Sequence, residues 1–308
     1  MPLLTRKTVF AAKTEGTIGT PETLAAADGG FNAYEVLIQP NIDTIEREAQ
    51  GGFNRLASVP GARGGTATFK TEISYNGVSD PSWASTLLPA CGWVGAASVY
   101  TPKSSAPGSD NVTTLTIGAY VDGEFRSIAG AMGTFRIVLT SGQLAMIEWE
   151  FQGVWQEPSA VSLIAPTYPT DSPIRFAGTD VTYNSVSMCV QELTVDAGNN
   201  LVLRECSDTD AGYKSAIVTD RFPKITANPE SVASGTQDRY GDWLAQTQGA
   251  LAFSLPAPSS TTIDFSIPKA QILNCQQGDR EKIVIDEIEF GAHKDGATND
   301  QELSITFS

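Results

Sequence analysis

Leu144-Ala-Met-Ile-Glu-Trp-Glu-Phe151 is the clearest strand pattern in the sequence, because apolar and charged residues alternate along it. Successive side chains of a β-strand point to opposite faces of the sheet. Ile147, Trp149 and Phe151 therefore share one face, and the two intervening glutamates share the other. The stretch predicts a strand with one buried face and one solvated face.

The residues before this strand indicate further antiparallel strands. Thr134 to Thr140 alternates in the same way, and Ser141-Gly-Gln143 favours a tight turn, so the two stretches predict a hairpin. Thr113 to Val121 predicts another strand, which ends at Asp122-Gly123, a dipeptide suited to positive φ angles. Similar short runs recur throughout, whereas helical periodicity is scarce. The chain is therefore expected to be mainly β.

Only two short helices are predicted. Pro81 to Leu88 has Asp80 in position to cap it and proline at the first helical position, and Asp242 to Gln248 forms the second. Each helix carries one tryptophan, Trp83 in the first and Trp243 in the second.

A proline-rich stretch divides the chain. Four prolines lie between Glu157 and Pro173, where neither a sheet nor a helix tolerates them well. With 308 residues, the chain is long enough for two domains. We place the domains at residues 1–165 and 166–308.

Three landmarks recur in the same order in both halves. Ile45-Glu-Arg-Glu48 resembles Val202-Leu-Arg-Glu205, and the tryptophan-bearing helix follows in each half. Ile147 to Phe151 then resembles Asp286 to Phe290. The first half has more residues between its landmarks, and the loop Ala96 to Asn111 would largely absorb them. The order predicts two copies of one β-rich unit.

Composition excludes several classes of protein. The net charge is −15, from 20 basic and 35 acidic residues, which argues against a general nucleic-acid-binding surface. No apolar run approaches the roughly 18 to 20 residues that span a bilayer, and the N-terminus lacks the pattern of a secretory signal. Wide spacing of the cysteines argues against a disulfide framework and predicts reduced, mostly buried thiols. These cysteines are Cys91, Cys189, Cys206 and Cys275.

Catalytic motifs are weak or missing in the sequence. The single histidine, His293, lies in a polar stretch and is expected to be a solvated loop residue. Gly61 to Gly65 lacks the rest of a phosphate-binding loop and predicts a flexible loop, and Asp208 to Gly212 predicts a plain turn. The sequence therefore predicts a protein that is not an enzyme and that needs no cofactor or metal.

Two pairs of glutamates, Glu148 with Glu150 and Glu287 with Glu289, leave an alternative open. Carboxylates two residues apart on a strand lie roughly 6.5 to 7 Å apart on one face, which glycosidase-type chemistry could in principle use. A solvated acidic face is the favoured interpretation, because no burial or sugar-binding groove is evident.

Several stretches together resemble one protein family. Tyr120-Val-Asp-Gly-Glu, Gly130-Ala-Met-Gly-Thr-Phe135 and Ile147-Glu-Trp-Glu-Phe-Gln-Gly153 form an Asp-Gly turn, a glycine-rich strand and a closing aromatic strand. With these the chain resembles the two-domain tail tube (major tail) proteins of long, non-contractile tailed bacteriophages. Weaker similarities are Lys13 to Pro21, Thr44 to Glu48, Leu87 to Trp93 and Gln301 to Phe307.

The resemblance implies a fold and a function. The fold would be mainly β, with two similar β-sandwich or barrel units, each with a short flanking α-helix. The chain would polymerise as stacked rings into the tail tube, a conduit for DNA ejection. With two units per chain, three chains would make a pseudo-hexameric ring. Other virion structural proteins, such as capsid decoration or baseplate proteins, and a soluble β-sandwich binding module are the alternatives.

The resemblance also implies partners and a location. Besides itself, the chain would contact the tape measure, tail terminator and distal tail proteins, and DNA would pass without specific binding. It would be assembled in the host bacterial cytoplasm and reside in the virion tail.

Two sets of candidate site residues follow. The loops Ala49–Gly65 and Cys206–Tyr213 and the N-terminal arm Leu3–Leu24 are expected to be mobile in the monomer and ordered between rings. The candidate inter-ring residues are Gly51, Phe53, Arg55, Arg63, Asp208, Asp210 and Tyr213. The candidate lumen-facing acidic residues are Glu148, Glu150, Glu287 and Glu289.

Overall fold

Strands dominate the chain, as its alternation predicts, in a computed structural model that describes residues 3–49, 51–104, 113–296 and 299–308. The first unit contains β1 (Thr8–Thr14), β2 (Ala33–Glu48), β3 (Arg55–Glu72), β4 (Trp93–Ala96), β5 (Val99–Pro102), β6 (Leu115–Val121), β7 (Glu124–Thr140), β8 (Met146–Trp155) and β9 (Ser159–Ala160). The second unit contains β10 (Val181–Tyr183), β11 (Val186–Met188), β12 (Val190–Asp196), β13 (Asn199–Glu205), β14 (Tyr213–Arg221), β15 (Lys224–Pro229), β16 (Gln248–Pro256), β17 (Thr262–Arg280), β18 (Ile283–Ala292) and β19 (Ser304–Phe307).

The two units have the same strand order. The first runs β1-β6-β7-β8-β3-β2 and the second runs β10-β16-β17-β18-β15-β12, and every neighbouring pair is antiparallel. In each unit the tryptophan-bearing helical segment follows the fifth strand of this order. The sheets do not close into a barrel, so the fold class is a mainly β, sandwich-like arrangement present twice.

The equivalence of the units extends to single residues. Strand register from one pair to the next equates Gln39 of β2 with Asp196 of β12. Ile45 and Val202 are separated by the same number of residues as Gln39 and Asp196. They are the first residues of the two similar motifs. Register irregularities in the β2–β3 and β13–β14 pairs also fall at matching places. The recurring motif therefore marks structurally equivalent positions.

One junction turns the two units into a continuous sheet. The end of β7 pairs with β12, which gives the order β2-β3-β8-β7-β12-β15-β18-β17; we call these eight strands the front sheet. Ile137 and Val195 oppose each other at this junction, and both are fully buried. A second link joins the units where β5 pairs with β19.

A back layer, formed by β1 and β6 in the first unit and by β10 and β16 in the second, covers one face of the front sheet. Phe10 of β1 packs on Phe69 of β3 with ring centroids 4.2 Å apart. Tyr183 of β10 packs on Phe290 of β18 at 4.9 Å. Aromatic contacts of this kind define a core between the layers.

Both tips of the front sheet extend into long hairpins. We call residues 40–65, at the outer ends of β2 and β3, the first arm, and residues 199–221, which contain β13 and β14, the second arm. At about 3.3 Å per residue, the first arm reaches roughly 25 Å beyond the sheet. The described residues between its two strands are 49 and 51–54, and the turn of the second arm comprises residues 206–212.

The helices differ from their predicted bounds. The first begins as a π-type turn, Trp83–Leu87, and continues as α1, Leu88–Ala90, because Pro89 has no N–H to donate to the preceding turn. The second, α2, is Arg239–Leu244, and it begins earlier than predicted because the Asp238 side chain accepts a hydrogen bond from Gly241 N. Short 3₁₀ turns lie at Ala26–Gly29 and Pro258–Ser260.

Two of the three segments predicted as loops or arms, Ala49–Gly65 and Leu3–Leu24, contain strands, which corrects that prediction, whereas Cys206–Tyr213 is a turn up to residue 212. Residues 55–65, including Gly61 to Gly65, belong to β3. Residues 8–14 form β1, whose Phe10 is buried. Glu15 anchors the same N-terminal segment by accepting hydrogen bonds from Thr114 Oγ1 at 2.7 Å and Gly130 N at 2.6 Å. The predicted loop Ala96 to Asn111 contains β5, and its residues 105–111 lie outside the described residues.

Two predictions about single side chains are also corrected. Cys91 and Cys275 are buried, but Cys189 is exposed and Cys206 is half-buried. His293 directly follows β18 in an irregular segment, as predicted, but it is half-buried and not fully solvated. Its ring lies against the ring of Phe222, with centroids 5.6 Å apart.

Candidate functional site

An acidic face covers the side of the front sheet that is turned away from the back layer. Glu148 and Glu150 lie on it, because Ile147, Trp149 and Phe151 are buried on the other side, as the alternation predicts. Strand register puts further carboxylates on the same face across the junction between the units. The carboxylates of this face are Glu35, Glu148, Glu150, Glu192, Asp196, Glu287 and Glu289.

Three basic residues, Lys70, Arg136 and Lys224, lie among these carboxylates. Lys70 Nζ is 3.0 Å from Glu35 and 3.3 Å from Glu148, and the hydrogen bonds to Glu35 and then Glu148 raise the pKa of Lys70. Lys224 is 2.8 Å from Glu289. These pairs are solvent-exposed and salt screens them, so the face keeps an excess of negative charge.

At its other end, the same side of the front sheet is covered by the second arm. Asn199 Nδ2 donates hydrogen bonds to Cys91 O at 2.8 Å and Gly133 O at 2.9 Å. Ser215 and Ala216 of the second arm are fully buried against the first unit. Each chain therefore already contains one docked arm.

Glycines make this close approach possible. A Cβ added at Gly130 would lie 2.9 Å from Ser215 Cα, and one added at Gly64 would lie 2.8 Å from Leu203 Cδ1. A side chain at Gly130 would push the backbone of the second arm away from the sheet, whereas one at Gly64 would displace the end of the Leu203 side chain. Val154, beside Gly64 on the neighbouring strand, is buried at the same place.

The candidate inter-ring residues separate into two groups. Gly51 and Phe53 lie in the turn of the first arm, where Phe53 is fully exposed, and Arg55 follows them and pairs with Glu46 and Glu48. Asp208 and Asp210 lie in the turn of the second arm, and Tyr213 begins β14. Arg63 joins the groups within one chain, since its backbone N donates to Ala211 O at 2.9 Å and its guanidinium to Asp210 O at 3.0 Å.

The first arm differs from the second in its environment. Almost all of its residues beyond the sheet are exposed, among them Ile42, Ile45, Leu56 and Val59. The strand pairing of the first arm has the same register as that of the second arm, so each docking position of the second arm has a counterpart in the first. Within the described residues, the outer part of the first arm (residues 40–48 and 55–60) is therefore an uncovered docking element, whereas Arg63 and Gly64 at its base contact the second arm.

Two sheet edges are also open among the described residues. The outer edge of β2, at Leu37 to Gln39, is the counterpart of the β12 edge that pairs with β7. The end of β17, at Gln276 to Gly278, is the counterpart of the β7 segment in that junction. Sequence reasoning missed both edges, because an unpaired edge is defined by strands that are distant in the sequence.

Sequence reasoning also missed a buried ion pair in the second unit. Arg239 and Asp286 are both almost fully buried and form a salt bridge, and Arg239 also donates to Glu230 O at 3.1 Å. Asp286 has the same parity as the core-facing Ile288, which is the signal that could have found it. Its equivalent in the first unit is Ile147, an apolar residue.

Other kinds of site were searched among the same residues. Within the described ranges, none of the helices has the length and apolar character needed to cross a membrane. The described part of the chain also brings together no group of three or more His, Cys, Asp or Glu side chains that could hold a metal ion.

Comparison with known proteins identifies a family for this chain. A family model described as phage tail tube protein matches residues 5–308, which is essentially the whole chain. No curated protein matches the chain.

Proposed function

Since the chain belongs to the phage tail tube protein family, it is a structural protein of the virion tail, and we propose that it forms stacked rings for DNA passage. The two domains, 1–165 and 166–308, are the two ring units of each chain. In this proposal the protein has no catalytic function and is assembled in the host cytoplasm. The observation that carries the proposal is the β7–β12 junction.

The junction within the chain supports a specific way of closing the ring. The end of β17 is the counterpart of β7, and the open edge of β2 is the counterpart of β12. If they pair in the same way between chains, Gln276 lies opposite Gln39 of the next chain, and Gln277 lies opposite Ile38. Each pairing continues the front sheet across the chain boundary by strand addition.

The number of chains follows from the number of units. A ring of six equivalent units needs only three chains when each chain contributes two, and half of its junctions are then already present within single chains. The exposed side chains at the end of β17, Gln276 and Gln277, are polar, which suits an edge that meets water before assembly.

The acidic face is proposed to line the lumen. If the front sheets of the chains join into a closed ring, one face of this sheet is turned towards the lumen and the other towards the outside of the tube. The back layer covers one of these faces, and the acidic face is the other. With the back layer outside, Glu148, Glu150, Glu287 and Glu289 point inward. Carboxylates repel DNA phosphates, whereas basic residues would release counterions and hold the duplex.

Ring stacking is proposed to use the arms. Ile45 and Val202 occupy equivalent positions, and Val202 remains 43% exposed although its arm is docked, so this side of the arms stays available. The turns of the arms, with Gly51, Phe53 and Asp208, would contact the adjacent ring. At its ends the tube would meet the tail terminator and distal tail proteins, with the tape measure protein inside.

Electron microscopy of the purified protein tests this function. We expect rings with three chains and six similar lobes, and short tubes at high protein concentration. A chain that remains monomeric at all concentrations, or rings built from six chains, would contradict the proposal.

The lumen assignment has its own test. Changing Glu148, Glu150, Glu287 and Glu289 to Gln should leave tube assembly intact but slow DNA ejection several-fold at about 0.01 M salt, where the Debye length is roughly 30 Å. The difference should disappear near 0.5 M salt. Asp180→Asn, which removes an exposed carboxylate just before β10, is the control and should eject normally. Unchanged low-salt ejection by the fourfold variant would place these residues on the outside of the tube.

A further inference from the structure

The first arm has a docked counterpart within the same chain. The pairs Ile45–Val59 and Glu48–Arg55 of the first arm match Val202–Ile217 and Glu205–Tyr213 of the second. The strand positions of the two arms thus correspond, although many of the residues at those positions differ. Among the described residues, the second arm packs on the first unit, whereas the outer part of the first arm (residues 40–48 and 55–60) is exposed.

We propose that, in the assembled ring, the first arm of each chain lies across the second unit of its neighbour, over the patch formed by Phe222, Leu273 and His293. This inference rests on the ring proposed above. The occupant is a second copy of the chain, because the pairing of β17 with β2 of the next chain brings that first arm to the second unit, as β7–β12 pairing brings the second arm to the first unit.

The patch is the counterpart of the surface that the second arm covers. When the β15–β18 register is continued two residues beyond its last pair, Lys224–Gly291, it equates Phe222 with Gly64 and His293 with Val154. In the first unit, Gly64 and Val154 lie under the second arm, whereas Phe222 is 38% exposed. Phe222, Leu273 and His293 surround one point of the sheet, since a Cβ added at Gly291 would lie within 3.3 Å of all three side chains.

The chemistry of the first arm suits this patch. Ile42 of the first arm stands at the position that Asn199 has in the second arm. It would contact Leu273 of the neighbouring chain. Leu273 lies in a bulge of β17, next to the residue that is equivalent to Gly133. An apolar contact thus takes the place of the hydrogen bond between Asn199 and Gly133. Ile42 is exposed in the single chain, so its burial is gained only on assembly.

A polar contact is available at the centre of the patch. Nε2 of His293 is buried and has no hydrogen-bond partner among the described residues. Glu46 of the first arm is equivalent to Leu203, whose side chain approaches Gly64. The carboxylate of Glu46 would therefore reach the edge of Phe222 and accept a hydrogen bond from His293 of the neighbouring chain, which satisfies the buried nitrogen.

Disulfide formation between chains tests the contact. In a chain whose Cys189 and Cys206 are changed to Ser, Glu46→Cys with Phe222→Cys should give at least tenfold more interchain-linked protein in assembled rings than Ile45→Cys with Phe222→Cys. Ile45 lies on the opposite side of the arm. The measurement is the pattern of linked species on a denaturing gel without reductant.

Two controls keep the outcome decisive. Gly64→Cys with Leu203→Cys should link within one chain, because it reproduces the contact that the structure contains. If the cysteine at Phe222 unfolds the protein, Ile42→Cys with Leu273→Cys tests the same docking.

Linking equal to that of the Ile45 control, in a preparation that still forms rings, would overturn the inference and leave the proposed function standing. Failure to form any rings would instead contradict the proposed function itself.

Discussion

Gln39→Cys combined with Gln276→Cys should join assembled chains into a covalent ladder that ends at three. These positions face each other if β17 of one chain pairs with β2 of the next in the register of the β7–β12 junction. Directly opposed residues of antiparallel strands have Cβ atoms about 4.5 to 5.5 Å apart, which is close to what a disulfide needs. Cys189 and Cys206 are changed to Ser in both proteins, and the protein without the two new cysteines should then give no ladder, so the expected effect is nearly all or none.

The neighbouring register pair completes this experiment. Opposed pairs alternate between hydrogen-bonded and non-hydrogen-bonded geometry, and the latter brings side chains closer. Ile38→Cys with Gln277→Cys should therefore link well if the first pair links poorly. Gln39→Cys with Gln277→Cys places the thiols on opposite faces and is the mismatched control. A ladder that continues to six chains would contradict the trimeric ring, and linking by the mismatched pair alone would contradict the register.

Asp286→Ala should lower the free energy of unfolding of the unassembled chain by about 3 to 5 kcal/mol. The substitution leaves the guanidinium of Arg239 buried without its partner, and an uncompensated buried charge is among the most destabilising of single changes. Urea unfolding of the monomer measures the effect. Glu46→Gln removes one partner of the exposed Arg55 pair and should cost less than about 1 kcal/mol.

The first unit suggests a rescue of this defect. Its residue equivalent to Asp286 is Ile147, which is fully buried in an apolar environment. Arg239→Met combined with Asp286→Ile should therefore recover most of the stability lost by Asp286→Ala, because both charges are removed together. A double variant as unstable as Asp286→Ala would show that shape, and not the unpaired charge, causes the loss.

Local pattern was sufficient to predict the strands around Trp149, but not the pairing and packing of those strands. The burial of Trp149 and the solvation of Glu148 follow from alternation alone, and the match between Ile45 and Val202 correctly marked equivalent positions. The glycines of β3 misled the prediction. Gly64 indicated a flexible loop, whereas it lies in a strand that Leu203 approaches from a distant part of the sequence. Composition does not distinguish these two uses of glycine.

The acidic face was predictable only in part. Glu148 and Glu150 could be assigned to one solvated face from a single strand. That Glu192 and Asp196 extend the face depends on the β7–β12 pairing, which no local pattern encodes. The open edge at Gln276 was missed for the same reason, since an edge is recognised only when the complete strand order is known.

Fusion of the two units allows alternate positions around a ring to become chemically different. A ring of identical units presents the same surface every 60°, so a partner with threefold symmetry could attach in two orientations. Here Phe222 stands where the first unit has Gly64, and Asp286 stands where it has Ile147. Because the two units are encoded separately, a mutation can change a residue in one unit and leave the equivalent residue of the other unit unchanged. A ring of three such chains repeats only every 120°, and its surface can therefore specify one angular setting for a threefold partner at the end of the tail.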